Sequence, residues 1–296
     1  MKEALILSDG RQGHLNQSVA FAKYMGLSYD IVPVKFKYKP CKMLSYLFDK
    51  IGIDASWLFD AVIDKRYRMV IGTGSSTYYA VKVLSRSMGA KSVAMMLPKG
   101  YRYDFDLIFA QSHDRPPGKK NIIEIPANFS YIRPKGLYQP QKRSVGIIIG
   151  GSNALFEMKP GTIKRQLDHI VKHYQEEEIA VTTSPRTPKE VEGLVESYGF
   201  DYEVVFSKNP VNPIPDFLEN CETVFITADS TSMISEAISY GKSNVVVLPL
   251  ESKRENKFVR FIETLSEEGY LHIFDGMIVN KNKKIDFSTY LPKEII

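Results

Sequence analysis

Two stretches of this 296-residue chain share one layout: Ala4-Leu5-Ile6-Leu7-Ser8-Asp9-Gly10-Arg11-Gln12-Gly13-His14, and Val145-Gly146-Ile147-Ile148-Ile149-Gly150-Gly151-Ser152-Asn153. Each is a short apolar run that breaks into a glycine-bearing loop. Such a run fits a fully buried strand. Glycine lets the backbone approach a bound phosphate or sugar and reach φ > 0 at no steric cost. The two copies predict an α/β protein of two Rossmann-like, doubly wound domains facing each other across a cleft. Many enzymes that handle sugar nucleotides are built that way.

Outward from these stretches, strand-like and helix-like segments alternate, which implies parallel sheets. The first half reads as strands 3–8, 29–34, 69–72, 91–96, 105–109 and 121–125. Its helices lie near 15–25, 42–51, 55–63 and 76–88. The second half reads as strands 144–149, 178–183, 203–206, 223–227 and 244–248. Helices 160–174, 188–198, 213–219, 232–240 and 255–268 intervene. Residues 133–143 carry two prolines, a glycine and no apolar periodicity, as a linker does. The domains expected are 1–137, a linker 138–143, and 144–270. A final segment, 271–296, is expected to return to the first domain.

Composition narrows the class. The chain is 44% hydrophobic and 25% charged, which suits a water-exposed globular protein. Cys41 and Cys221 are isolated and show no metal spacing, so a reducing cytoplasm is the expected setting. Charge is unevenly placed. Residues 1–143 hold 23 Lys and Arg against 11 Asp and Glu; the rest hold 16 against 23. A basic first half would attract an anionic membrane or acceptor. In Lys35–Phe48, lysines are mixed with Phe, Tyr, Met and Leu, as in interfacial segments, though a stretch that is half core helix and half solvated loop would look the same. No nucleic-acid partner is expected.

Three loops of the second half have the chemistry of a phosphate or sugar site. Thr227-Ala228-Asp229-Ser230-Thr231-Ser232-Met233 joins a strand to a helix. Asp229, Ser230 and Thr231 suit N-capping, and the first-turn amides would face an anion. Glu236 follows Ser232 by four residues, one turn down the same face, where a carboxylate could accept both ribose hydroxyls. An ordinary capped helix with a solvated Glu would look the same. In Thr183-Ser184-Pro185-Arg186-Thr187-Pro188, Ser184 and Arg186 could hold phosphate, though Thr187-Pro188 also simply starts a helix. Gly150-Gly151-Ser152 is the third. All three fall after strands, where ligands of open α/β sheets bind. In the first half, His14 in its glycine-flanked loop could be a general base, with Asp9 as second choice. Gly13, Asn16, Gln17, Gly74, Ser75 and His113 are acceptor-side candidates. His169 and His173 are spaced i, i+4 but have no third ligand, so no metal site is read there.

With these residues in view, the sequence resembles the plant mitochondrial-fission "elongate mitochondria" family and its bacterial relatives. The likeness rests on Ser8-Asp9-Gly10-Arg11-Gln12-Gly13-His14-Leu15-Asn16-Gln17, His113-Asp114, Thr182–Pro188, Ala228–Ala237, Lys257-Phe258 and Asp275-Gly276, which span most of the chain. That family looks like glycosyltransferases of the GT-B architecture. More distantly, Gly150-Gly151-Ser152 and Ser232–Glu236 look like the donor-binding half of the enzyme that adds N-acetylglucosamine to lipid-linked peptidoglycan precursor. Pro126-Ala127-Asn128-Phe129 departs from that enzyme's pattern, which has a glycine and a histidine.

The resemblance implies a nucleotide-diphosphate sugar donor in the second domain, an acceptor in the first, and neither metal nor cofactor. On that reading Glu236 holds the ribose. Ser230, Thr231, Ser232 and Met233 face the diphosphate together with Ser184 and Arg186. Apart from the resemblance, the basic first half and Lys35–Phe48 lead one to expect an anionic membrane or a lipid-linked acceptor, with a cytoplasmic protein peripheral on the membrane's inner face. Two rivals remain: a sugar-nucleotide 2-epimerase, which would need carboxylates to move the C2 proton, and a non-catalytic membrane-associated scaffold.

Overall fold

The computed structural model describes residues 3–252, 257–277 and 282–292. They form two compact units, one running to Tyr131 and resuming at Asp286, the other Ile132–Ile285. The segment read as a linker therefore clusters with the second unit.

Unit 1 begins with β1 (Ala4–Ser8), α1 (Gln12–Tyr24), β2 (Tyr29–Pro33), β3 (Lys35–Phe36), α2 (Lys39–Ile51) and β4 (Phe59–Asp60). It continues with β5 (Met69–Gly72), α3 (Tyr78–Met88), β6 (Lys91–Ala94), β7 (Leu107–Gln111) and β8 (Ile122–Ile125). Six strands form a parallel sheet in the order β2-β1-β5-β6-β7-β8. Its central strands are apolar on both faces because helices cover both, and Leu5, Ile6, Val70, Ile71 and Ile108 are fully buried. The returning segment at Asp286 packs here: Phe287 stacks on Phe129 at 4.6 Å, and Phe129 meets Phe109 at 4.9 Å.

Unit 2 comprises β9 (Ser144–Ile149), β10 (Phe156–Glu157), α4 (Pro160–His173), β11 (Glu178–Thr183), α5 (Lys189–Glu196) and β12 (Tyr202–Val204). Then come α6 (Ile214–Asn220), β13 (Thr223–Thr227), α7 (Thr231–Ser239), β14 (Asn244–Leu248), β15 (Glu251–Ser252), α8 (Lys257–Glu267) and β16 (His272–Ile273). Its parallel sheet has the order β12-β11-β9-β13-β14-β16. Counted from β9, that is 3-2-1-4-5-6, the order of dinucleotide-binding sheets. Unit 1, counted likewise, runs 2-1-3-4-5-6, the flavodoxin-like variant. The expected α/β class with two Rossmann-like sheets is therefore what the chain forms. Each sheet has a switch point where strand order reverses: β1/β5 in unit 1 and β9/β13 in unit 2.

Some expected elements differ. The helix read at 55–63 is a short 3-10 turn, Ser56–Leu58, followed by β4, which pairs antiparallel with β3. Tyr79 ties that turn down, accepting from the Ala55 amide at 3.0 Å and donating to Ile53 O at 2.8 Å. Short apolar runs do not distinguish strand from helix by period alone. β7 begins two residues later than expected, because Asp106 is taken by the amide and hydroxyl of Ser92 at 2.9 and 2.8 Å. α1 starts at Gln12, so Gly13 and His14 lie in its first turn and not in the preceding loop. Residues 255 and 256, read as the start of a helix, lie outside the described residues. Among the described residues, no helix is long and apolar enough to cross a membrane.

Candidate functional site

In unit 1, chemistry gathers at the switch point between β1 and β5. After β1 the chain turns at Gly10, whose φ of 82° glycine tolerates. Asp9 stabilises the turn, its Oδ1 accepting from the Arg11 amide at 3.2 Å. Its other oxygen lies 3.0 Å from His14 Nδ1. A carboxylate can only accept, so this pairing puts an imidazole proton on Nδ1, and it is the neutral ring in that tautomer that has a lone pair on Nε2. Asp9 is nearly buried and His14 about one-fifth exposed, with side-chain values of 7% and 21%.

Gly74, after β5, faces this pair. Its φ is 89°, and a side chain there would run into the His14 ring. Ser18 Oγ and Thr73 Oγ1, 2.7 Å apart, fasten α1 to the same loop. Ser75 and Ser76 accept hydrogen bonds from Lys42 Nζ at 3.0 and 3.4 Å, a contact between α2 and the loop that spacing did not foretell. A cavity of about 550 Å³ adjoins them, lined by Asp9, Ser76, Lys35, Lys37, Lys39 and Lys42 among others. Of the other acceptor-side candidates, Asn16 accepts from Gln12 at 2.6 Å. Gln17 is buried and turned to Gly13 O and Gln111, not toward the dyad. His113 stands in the turn after β7, one residue before Asp114, which pairs with Lys99 at 2.8 Å.

In unit 2 the three candidate loops meet around one side chain, Asp229. It follows β13 at the β9/β13 switch point. Its carboxylate accepts from the Gly151 amide at 3.0 Å, the Thr227 hydroxyl at 2.7 Å and Arg186 at 2.7 Å. Burial raises its carboxyl above the ordinary Asp range, and these three donors oppose that rise. Asp229 is fully enclosed, whereas 44% of the Arg186 side chain stays exposed. Gly150 and Gly151 have ordinary φ. They are needed because a Cβ on Gly150 would collide with the Asp229 carboxylate, and one on Gly151 with the Arg186 backbone. Thr187 closes the arrangement, accepting from the Ser184 amide at 2.9 Å and donating to Gly150 O at 2.5 Å. Ser184 Oγ in turn accepts from the Arg186 amide at 3.2 Å, and Ser152 Oγ from the Met158 amide at 3.0 Å. Both hydroxyls therefore shape their loops. Asp229 was read, with Ser230 and Thr231, as a helix cap, and Thr187 as part of a helix start; Ser230 alone caps α7, and Asp229 and Thr187 instead tie the loops together. The one available signal was a short polar residue beside each glycine or capping motif.

Helix α7 leaves this cluster. Ser230 is its N-cap, accepting from the Met233 amide at 3.4 Å. The amides of Thr231 and Ser232 meet no acceptor among the described residues, so the positive end of α7 is open there. One turn on, the Glu236 carboxylate has no hydrogen-bond or ionic partner among the described residues, and burial pushes its carboxyl up to about 7. Lys284 Nζ donates to Ala237 O at 2.7 Å, next along the helix, and burial lowers that amine to about 8. Among the described residues no three of His, Cys, Asp and Glu converge as metal ligands.

A family profile described as mitochondrial fission ELM1 matches residues 12–289 of the chain. An uncharacterized protein of Rickettsia prowazekii (strain Madrid E), RP120, is 25% identical over 322 aligned positions, covering 92% of this chain and 90% of that one. Among solved structures, the calicheamicin glycosyltransferase CalG4 aligns over 93% of this chain and 85% of its own, with 10% identity and a TM-score of 0.49. The UDP-GlcNAc 2-epimerase of Methanocaldococcus jannaschii aligns over 89% and 92%, with 12% identity and a TM-score of 0.44.

Proposed function

The chain belongs to the mitochondrial fission ELM1 family, and for this member we propose a glycosyltransferase that moves a sugar from a nucleotide-diphosphate donor to a hydroxyl acceptor. The observation that carries the reading is helix α7: a capped start with two amides that meet no acceptor among the described residues, and one turn down a carboxylate, Glu236, that has no partner among them either. The open amides of Thr231 and Ser232 suit a diphosphate, and Glu236 suits the ribose hydroxyls. Arg186, held by Asp229 yet half exposed, adds charge-assisted bonds to the same phosphates.

The acceptor belongs to unit 1. Its hydroxyl gives its proton to His14 Nε2 as its oxygen bonds to the anomeric carbon. The bond from that carbon to the donor phosphate oxygen breaks, and the nucleoside diphosphate leaves with the electron pair. Asp9 steadies the imidazolium that forms. Negative charge grows on the leaving diphosphate, where helix amides and Arg186 stabilise it. The acceptor is met at an anionic membrane through the basic segment Lys35–Phe48.

Isothermal titration with a panel of nucleotides and nucleotide sugars tests the donor half. One nucleotide should bind, and Glu236→Ala should weaken it by about 1–3 kcal/mol, the loss expected for hydrogen bonds to a charged group. An unchanged affinity would remove Glu236 from the site.

A further inference from the structure

Among the described residues, eight of the nine large apolar side chains that stand exposed fall between Ile31 and Val62. Three of them, Met43, Leu47 and Ile51, lie at i, i+4 and i+8 of α2 and so form one stripe along the helix. The opposite face of α2 is spoken for: Cys41 and Ser45 are buried, and Leu44 and Phe48 pack on the core. Asp49 is fixed to Lys82 Nζ at 2.6 Å. Ile53, the 3-10 turn residue Trp57, and Val62 extend the exposed surface beyond the helix; Val62 is 89% exposed.

The charge beside this stripe has one sign. Lys39 and Lys50, eleven residues or about three turns apart, lie on the same side of α2 as Met43 and Leu47. Neither is in an ion pair among the described residues, and Lys35 is not either. From Ile31 to Ile53 there are five lysines and a single acid, the buried Asp49. Nearby acids are engaged: Asp60 with Lys37 at 3.7 Å and Asp54 with Arg86 at 2.6 Å. At the helix start, Met43 and four of the lysines line the cavity that Asp9 also lines.

We propose that this surface, the outer stripe of α2 with Ile53, Trp57 and Val62, docks on an anionic lipid bilayer. The apolar stripe enters the boundary between head groups and acyl chains while Lys35, Lys39 and Lys50 meet lipid phosphates. Along α2 the apolar stripe has a cationic margin and no exposed acid; beyond the helix, Asp60 and Asp54 are paired with Lys37 and Arg86, and Asp64 beside Val62 is the one exposed acid at the edge of the surface without an ion pair among the described residues. Such a balance matches an anionic interface, and each basic side chain at such a surface strengthens association about fivefold. Docking brings the lysine-lined cavity, and with it the Asp9–His14 pair, to the lipid head groups. The inference deepens the acceptor half of the proposed function. It rests on that reading only for what the membrane presents.

Trp57 is the single tryptophan of the chain, so its emission reports on this surface directly. The full chain is titrated with vesicles of phosphatidylcholine alone, or with about one-third phosphatidylglycerol, and binding is read by sedimentation and Trp57 emission. Binding and a blue shift are expected on the anionic vesicles only. Leu47→Asp with Ile51→Asp, or Lys39→Glu with Lys50→Glu, should each weaken binding at least tenfold. Their circular dichroism should stay that of the parent, since these side chains project from the fold. Equal binding to neutral vesicles, no binding to either, or binding untouched by both double variants would overturn the proposal. So would concentration-dependent dimerisation of the parent that the Asp variants abolish, which would assign the face to a second copy of the chain. Vesicle binding is blind to sugar transfer, so docking without transfer, or transfer without docking, tells the two readings apart.

Discussion

Glu236 and Asp9 show how differently two carboxylates can be employed in one chain. Glu236 is half-buried and has no partner for its carboxylate among the described residues, and desolvation pushes its carboxyl up to about 7. Since the folded value exceeds the unfolded one, its contribution to stability is full below about pH 4.3 and is lost as pH rises through about 7. Glu236→Gln should therefore match the parent near pH 4 and exceed it at pH 8 by about 1–3 kcal/mol in urea denaturation. Ligand binding has the opposite sign, because ribose hydroxyls donate to the ionised form. Nucleotide affinity should climb between pH 6 and 8 in the parent and stay flat in Glu236→Gln; a flat profile in both would count against the ribose assignment. Asp9 instead is paired with His14 at 3.0 Å. Asp9→Asn keeps the shape but offers an N–H to Nδ1, which moves the ring proton to Nε2. Turnover should fall by roughly 10²-fold or more with nucleotide affinity unchanged. Loss of both together would make Asp9 a structural residue only.

At the scale of elements, the fastening of α2 decides what it can present. Lys82 of α3 is buried and donates to Asp49 at 2.6 Å, to Arg102 O at 2.8 Å and to Asp104. Asp49 also accepts from the Arg102 amide at 2.6 Å. This network clamps the inner face of α2 to α3 and turns Met43, Leu47 and Ile51 outward. Lys82→Ala strands a buried carboxylate and should cost about 3–5 kcal/mol in chemical denaturation. Asp49→Ala with Lys82→Ala should cost less than the sum of the single changes, since neither charge is then left alone. Strict additivity would mean the two do not couple.

At the scale of the molecule, the two units share one architectural principle, a cluster of polar side chains at the switch point of a parallel sheet, and the proposed function gives them separate tasks. Bound nucleotide should protect unit 2 alone. By hydrogen exchange under saturating nucleotide, α7 and the loops at 150–152 and 184–187 should slow, while α2 exchanges as before. Equal protection of α2 would show that the nucleotide acts on both units and would contradict a donor site confined to the second.

Much of this was legible in the chain. Buried parallel strands must be continuous apolar runs, so the strands at 144–149, 178–183, 223–227 and 244–248 were read at their observed bounds. The loops after them were readable as turns because glycine and short hydroxyl residues suit strand ends and helix starts. The helix period placed Glu236 one turn below Ser232 for the same local reason. What the chain could not display is anything set by residues distant in sequence. Gly150 and Gly151 were read as making room for a ligand. Folding shows that the space a Cβ would occupy is filled by Asp229 and Arg186. Likewise Lys35–Phe48 was read as one mixed basic and apolar segment. Only packing against the core and Lys82 divides it, turning Leu44 and Phe48 inward and leaving Met43, Leu47 and Ile51 outside. Local patterning sets secondary structure because backbone geometry repeats every few residues. Which face is covered, and which glycine is crowded by whom, depends on contacts that exist only once the sheets have formed.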